Sequence, residues 1–86
     1  MELQAPILRI LDDTLGLQGQ ALGFERNTPL LGALPELDSM AVLAVITNLE
    51  EHFGMSFYDD DLDSAVFATV GSLVDLTAQT LAQQGQ

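Results

Sequence analysis

The sequence predicts an all-α protein: a small four-helix bundle of three longer helices and one short helix, with a long loop after the first helix. Apolar residues recur at helical spacing in several segments, whereas no segment alternates apolar and polar residues as a half-buried strand does. The chain of 86 residues, 48% of them hydrophobic, is long enough for one core and too short for two. We therefore expect a single domain spanning residues 1–86.

The first helix is expected from Leu3 to Leu15, because apolar residues repeat there every three or four positions and Pro6 falls where a first turn tolerates a missing N–H. Gly16 is a typical stop signal. Residues 16–37 hold most of the glycines and prolines and have no sustained period, which predicts a long loop that can contain a helical turn. Six apolar side chains are expected to hold this loop against the core: Leu17, Leu22, Phe24, Leu30, Leu31 and Leu34.

The second helix is expected to begin directly after Asp38, whose carboxylate can accept hydrogen bonds from N–H groups of the first turn. Gly54 is expected to end it. Its buried stripe is predicted to comprise Val42, Ile46, Leu49 and Phe53, widened by Leu43 and Val45.

The remaining chain predicts a connector, a short helix and a last helix. Residues 55–58 are expected to be extended, and the acidic cluster of residues 59–63 is expected to cap a short third helix anchored by Val66 and Phe67. Thr69 can cap the last helix. Its buried face is predicted to hold Val70, Leu73, Val74, Thr77 and Leu81, and the polar tail at residues 83–86 is expected to fray.

Charge and composition limit the classes of partner. With 13 acidic residues against 2 basic ones, the net charge is −11, which disfavours nucleic acid and anionic membrane surfaces and favours basic protein surfaces. The mean hydropathy of +0.27 is too high for a disordered acidic tail. No signal peptide or membrane-spanning run is visible, and the absence of cysteine suits the cytoplasm, so we expect a soluble, cytoplasmic monomer.

The residues give no basis for catalysis or metal binding by the chain itself. Asp59, Asp61 and Asp63 alternate as in an EF-hand, but the glycine and glutamate that such a loop requires are replaced by Ser64 and Val70. His52 follows Ser39 by 13 positions on one predicted helix, a separation of roughly 20 Å that prevents a serine–histidine pair. We therefore expect neither an enzyme nor a metal site.

Two motifs occur together on the second predicted helix. The helix opens with Leu37-Asp38-Ser39-Met40 and closes with Leu49-Glu50-Glu51-His52-Phe53-Gly54. In this order and spacing, together with the acidic charge and the predicted helices, the chain resembles the acyl carrier protein family from about residue 29 to residue 81. That family has Asp-Ser-Leu at its attachment site and a Leu-Glu-Glu-x-Phe pattern at the end of the same helix.

The resemblance implies a cofactor, its attachment point and several partners. Ser39 matches the serine that receives 4′-phosphopantetheine from coenzyme A, a reaction performed by a separate phosphopantetheinyl transferase, and Asp38 matches the residue that positions it. The terminal thiol of that arm would hold acyl or aminoacyl groups as thioesters. An activating ligase would load the arm, and downstream acyl-transfer enzymes would receive the cargo.

Several departures from the family pattern indicate a dedicated pathway. Met40 replaces the usual leucine, Glu36 the usual glycine, and Ala41 and Ala44 stand where fatty-acid carriers have acidic residues. We expect a docking surface of Met40, Ala41 and Ala44, with charge from Glu50 and Glu51. The segment from Asp63 to Leu73 resembles stand-alone D-alanyl carriers and carriers associated with exosortase and polysaccharide clusters.

Two alternatives stay open at this point. One is a housekeeping carrier of fatty-acid synthesis, in which the alanines of the second helix make no difference to partner choice. The other is a helical interaction module whose apolar and acidic surface binds a partner helix and carries no prosthetic group.

Overall fold

The computed structural model describes residues 3–58 and 62–84, and helices account for its regular structure. Helix α1 spans Gln4–Leu15, α2 spans Ser39–Phe53 and α3 spans Val70–Gln84. Two single-turn 3₁₀ helices, Gln20–Gly23 and Ser64–Phe67, lie in the connections. The described residues contain no extended strand, which confirms the all-α prediction; the short third helix is present as a 3₁₀ turn.

Glycine ends α1 and α2 where the sequence predicts. Gly16 and Gly54 adopt left-handed conformations with φ of 66° and 65°, which residues with a Cβ atom rarely adopt. Their N–H groups donate to the carbonyl oxygens of Asp12 and Glu50, so each last turn is closed by a backbone hydrogen bond. The length of α2 is therefore determined by the glycine at one end and by Asp38 at the other.

One hydrophobic core joins the three helices and the long loop. Its fully buried aliphatic side chains are Ile7 and Leu11 of α1, Leu30 of the loop, Val45 and Leu49 of α2, and Val70 and Leu73 of α3. Burial of each such side chain stabilises the fold by about 1.5–3 kcal/mol before chain entropy is counted. Helix α2 buries the face that carries Val45 and Leu49, and the face that carries Leu43, Ala44 and Thr47 is exposed to solvent.

The buried face of α2 differs from the predicted stripe. Val45 and Leu49 are fully buried, whereas Val42 and Ile46 are only half-buried and Leu43 is 60% exposed. At about 100° per residue, Leu43 lies about 160° around the helix axis from Val45. The prediction that Leu43 widens the buried stripe is therefore wrong, since Val45 is at the centre of that stripe.

The long loop is held down by fewer side chains than expected. Leu17 and Leu30 are buried, and Phe24 and Leu34 pack against the core from partly buried positions. Leu22 and Leu31 are 56% and 40% exposed, so the prediction that they anchor the loop is wrong. Around Leu31, backbone hydrogen bonds anchor the loop.

Those hydrogen bonds pair residues 26–31 with residues 67–71 in antiparallel fashion around an isolated bridge between Pro29 and Thr69. The N–H groups of Gly71 and Val70 donate to the carbonyl oxygens of Arg26 at 2.7 Å and Thr28 at 3.0 Å, respectively. The N–H groups of Leu30 and Leu31 donate to the carbonyl oxygens of Ala68 at 3.0 Å and Phe67 at 2.8 Å. This loop ladder ties the first connection to the start of α3.

Thr69 caps α3 as the sequence predicts. The Ser72 N–H donates to Thr69 Oγ1 at 3.2 Å, and the Thr69 N–H donates to Ser72 Oγ at 3.1 Å. This reciprocal arrangement is a capping box with serine in the place of the usual glutamate. Val70, Leu73, Val74 and Thr77 are buried on the predicted face, and Leu81 is partly buried beside the core.

The start of α3 approaches Arg26 closely. Arg26 Nη2 lies 2.9 Å from Asp75 Oδ2, and this hydrogen bond lowers the pKa of the Asp75 carboxyl and raises the pKa of the Arg26 guanidinium. Both side chains are more than half exposed, so the ion pair itself contributes little to stability. Its geometric effect is to hold the guanidinium over Gly71, which has no side chain to obstruct it.

Residues 55–58 form the predicted extended connector, with Met55 and Phe57 buried and Ser56 and Tyr58 exposed. The Gln84 side-chain amide bonds to the backbone of Ser56 in both directions, at 2.9 Å and 2.6 Å. Helix α3 is regular through Gln84, which differs from the frayed tail expected from residue 83; residues 85 and 86 lie outside the described residues.

The acidic cluster is only partly described. Asp63 caps the second 3₁₀ helix by accepting from the Ala65 N–H at 2.9 Å, and Val66 and Phe67 are buried as predicted. Residues 59–61, which were expected to share the capping, lie outside the described residues.

None of the helices within residues 3–58 and 62–84 combines the length and the hydropathy that a membrane span requires.

We expect Gly71→Val to lower the free energy of unfolding by about 1–3 kcal/mol, because an added side chain overpacks this contact. A Cβ atom at residue 71 would lie 3.0 Å from the Arg26 carbonyl oxygen and 3.2 Å from Arg26 Cζ. Urea denaturation followed by circular dichroism measures the change. Ala78→Val on the exposed face of α3 is the matched control, with an expected cost of about 0.5 kcal/mol from helix propensity. Equal costs for the two variants would contradict the close-approach explanation.

Candidate functional site

Ser39 is the first residue of α2 and is exposed. The preceding residue, Asp38, is extended (φ −100°, ψ −175°) and directs its carboxylate back over the first turn. Its Oδ1 atom accepts from the Ala41 N–H at 2.8 Å, and its carbonyl oxygen accepts from the Val42 N–H at 2.9 Å. Asp38 is thus the N-cap that the sequence predicts, and it places the Ser39 hydroxyl at the exposed end of the helix.

The backbone N–H groups at and directly after Ser39 are not bonded to any residue that the structure describes. None of the described residues hydrogen-bonds Ser39 Oγ, and the N–H groups of Ser39 and Met40 donate to no described residue. Open N–H groups at the start of a long helix favour an anionic group such as a phosphate. The hydroxyl is therefore accessible to a modifying enzyme, and a phosphodiester attached to it would meet compatible backbone donors.

The loop before Asp38 is anchored immediately next to the site. Leu37 is buried, and its N–H donates to the Leu34 carbonyl oxygen at 3.0 Å. The Asp38 N–H donates to the Glu36 carbonyl oxygen at 3.2 Å. Because Leu37 is held in the core, the entry of the chain into α2 is determined by packing as well as by the cap.

The predicted docking residues at the start of α2 differ in exposure. Met40 is 74% exposed and Ala44 is exposed, whereas Ala41 is half-buried and packs against the core. Sequence reasoning missed two further apolar residues of this surface, Leu31 and Leu43, both assigned to the core. The exposure of Leu43 could have been inferred from its position on the opposite side of the helix from Val45. No sequence pattern identifies Leu31, whose exposure follows from the loop ladder.

An apolar cavity of about 260 Å³ opens beside this surface. It is lined by Val42, Leu43 and Ile46 of α2, by Leu31 of the long loop, and by Leu62, Asp63 and Phe67. The α2 residues follow Ser39 by one and two helical turns. The cavity therefore lies along α2 between that helix and the segment around the second 3₁₀ helix.

Glu50 and Glu51 have different environments at the far end of α2. Glu51 is exposed. Glu50 is half-buried, and its Oε2 atom accepts from the Phe57 N–H at 2.9 Å, which ties the connector to α2. Sequence reasoning expected docking charge from both residues and did not identify this structural role of Glu50.

His52 lies in the last turn of α2, as predicted, and its ring contacts Phe53 edge to face with centroids 4.7 Å apart. Ser39 is at the opposite end of the same helix, so about 20 Å of helix separates the hydroxyl from the imidazole. Among the residues that the structure describes, no cluster of His, Cys, Asp or Glu could hold a metal ion. The site therefore offers an exposed hydroxyl that is not paired with the imidazole of His52.

Comparison with known families gives a match over most of the chain. Residues 5–77 match the family model for the phosphopantetheine attachment site. No match was found among curated proteins.

Two solved structures share the fold. A holo acyl carrier protein from Nitrosomonas europaea is 40% identical, with a TM-score of 0.90 over 95% of this chain and 99% of that one. A holo acyl carrier protein from Geobacter metallireducens is 23% identical, with a TM-score of 0.77 over 98% of this chain and 91% of that one. At 23% identity, the similarity to the Geobacter protein shows a shared fold only.

We expect Glu50→Ala to lower the free energy of unfolding by about 1 kcal/mol, because the partly buried Phe57 N–H loses its acceptor. Glu51→Ala, one residue along the helix and exposed, is the matched control and should change stability by less than about 0.5 kcal/mol. Urea denaturation of both variants measures the difference. If the two variants lost equal stability, the structural role assigned to Glu50 would be wrong.

Proposed function

Since this chain belongs to the phosphopantetheine attachment-site family, that of the acyl carrier proteins, we propose that Ser39 is its attachment residue and Asp38 its positioning residue. The family makes the chain a carrier and not an enzyme, with covalent 4′-phosphopantetheine as its cofactor. The observation that carries the proposal is the Ser39 hydroxyl, exposed at the start of α2 beside backbone N–H groups that bond to nothing else described. A non-carrier interaction module is excluded by the family.

The residues around Ser39 fit this cofactor. When bound, it supplies a terminal thiol that forms thioesters, a group the chain itself lacks because it has no cysteine. The N–H groups of Ser39 and Met40 are available to the phosphodiester. Asp38 directs its carboxylate to the Ala41 N–H, and its negative charge disfavours a collapsed position of the arm against the helix start. These residues hold the attachment point while leaving the arm free to project into solvent.

We propose that partner enzymes dock on the first turns of α2. Met40 and Ala44 present apolar surface next to Ser39, and Ala41 contributes from its half-buried position. At the C-terminal end of α2, Glu51 and Glu50 contribute negative charge, and Glu50 also accepts the hydrogen bond from the Phe57 N–H of the connector. The net charge of −11 favours partners with basic rims, such as the phosphopantetheinyl transferase that modifies Ser39, and speeds their encounter at low salt.

The pathway that we propose is a dedicated one in the cytoplasm, separate from core fatty-acid synthesis. The support is the apolar character of Ala41 and Ala44, where carriers of fatty-acid synthesis bear acidic residues. In this pathway a ligase loads an acyl or aminoacyl group as a thioester, and downstream enzymes accept it. A housekeeping fatty-acid carrier is the alternative, and turnover by fatty-acid synthase enzymes distinguishes the two.

The attachment residue is tested by co-expression with a broad-specificity phosphopantetheinyl transferase, followed by intact mass spectrometry. We expect the mass to increase by one phosphopantetheinyl group and Ser39→Ala to abolish the increase, because no other hydroxyl takes its place. Ser56→Ala, which removes another exposed serine, is the matched control and should be modified as fully as the unaltered chain. A modified Ser39→Ala variant would overturn the assignment.

The pathway is tested by offering the modified protein to fatty-acid synthase enzymes. We expect slow turnover, and a gain in kcat/KM of about tenfold on Ala44→Glu, since an exposed acid restores the contact that basic enzymes use. Gln79→Glu, which also adds an acid at an exposed position but on α3, controls for net charge alone. Efficient turnover of the unaltered protein would support the housekeeping alternative.

A further inference from the structure

The methionines that the structure describes are in opposite environments. Met40 is 74% exposed, whereas Met55 is buried at 6% in the connector. The chain has no cysteine that could react with an oxidant in its place. Among the described side chains of the unmodified protein, Met40 is thus the accessible sulfur, and it directly follows Ser39 in the first turn of α2.

We propose that Met40 is a site of reversible oxidation by peroxides, and that the sulfoxide impairs docking of the enzymes that act at Ser39. The inference rests on the proposed function for its consequence but not for the oxidation itself. In the reaction, a lone pair of the thioether sulfur attacks one oxygen of hydrogen peroxide, the O–O bond breaks and water leaves. Sulfur loses two electrons and the peroxide gains them. A methionine sulfoxide reductase with a thiol reductant reverses the change.

The position of Met40 explains why one added oxygen matters. Met40 and Leu43, at 74% and 60% exposure, form an apolar surface one helical turn long, which continues to Leu31 at the edge of the cavity. A flexible thioether adapts to different partner surfaces. The sulfoxide is polar, and a partner that covers it without a hydrogen-bond donor leaves its oxygen desolvated and unpaired. Oxidation therefore lowers partner affinity, while the exposed position leaves the core undisturbed.

The experiment treats the full-length chain, with Ser39 unmodified, with hydrogen peroxide and follows each methionine by peptide mass spectrometry. We expect Met40 to gain one oxygen at least about fivefold faster than Met55. The rate of phosphopantetheinyl transfer is then measured on oxidised and reduced protein, and kcat/KM is expected to fall about tenfold on oxidation. Reduction by a methionine sulfoxide reductase should restore it.

Met40→Leu is the matched control because it keeps an apolar side chain of similar volume and retains Met1 and Met55. Its transfer rate should be unaffected by peroxide, and urea denaturation should give equal stability for the oxidised and reduced unaltered protein. Equal transfer rates for those two forms, or oxidation of Met55 as fast as Met40, would overturn this inference alone. If the reduced chain accepted no phosphopantetheinyl group, the proposed function would fail as well.

Discussion

The geometry of the site depends on the hydrogen bond from the Ala41 N–H to the Asp38 carboxylate. Together with the buried Leu37, this bond makes Ser39 the first residue of α2. Ser39 is exposed because it is the first residue of the helix, and Val45 and Leu49 are buried because they lie on the face turned toward the core. Without this bond the first turn would fray and Ser39 would lose its defined position, whereas Val45 and Leu49 would stay packed in the core. The cap therefore controls the geometry around Ser39, and the core holds the rest of the helix in place.

The ends of the helices could be predicted because each has a local chemical cause. Asp38, Gly54 and Thr69 act on groups within one turn of themselves, so a single sequence is enough to place them. The exposure of Ser39 follows in the same way, because it needs only a cap and a helix start. The distance between Ser39 and His52 also followed from the sequence, since the two residues lie 13 positions apart on one helix.

The errors concern contacts between segments that are distant in the sequence. Leu31 is apolar and was assigned to the core, yet its backbone pairs with Phe67 and its side chain is exposed at the cavity. The hydrogen bond from the Phe57 N–H to the Glu50 carboxylate was also missed, while the docking role expected of Glu50 stays a prediction. No local pattern predicts either pairing, because a hydrogen bond between distant residues leaves no periodic signal. Leu43 is a different case. Once Val45 is recognised as the centre of the buried stripe, the helical angle between the two residues places Leu43 on the exposed side.

The loop ladder also has a consequence for the order of assembly during protein synthesis. Residues 26–31 have no partner for their backbone groups until residues 67–71 have left the ribosome, by which time most of the chain has been made. Helix α2 and its serine emerge earlier, in a nascent chain whose first connection cannot yet settle. The apolar surface beside that serine, which includes Leu31, is consequently complete only once residues 67–71 can pair with the loop.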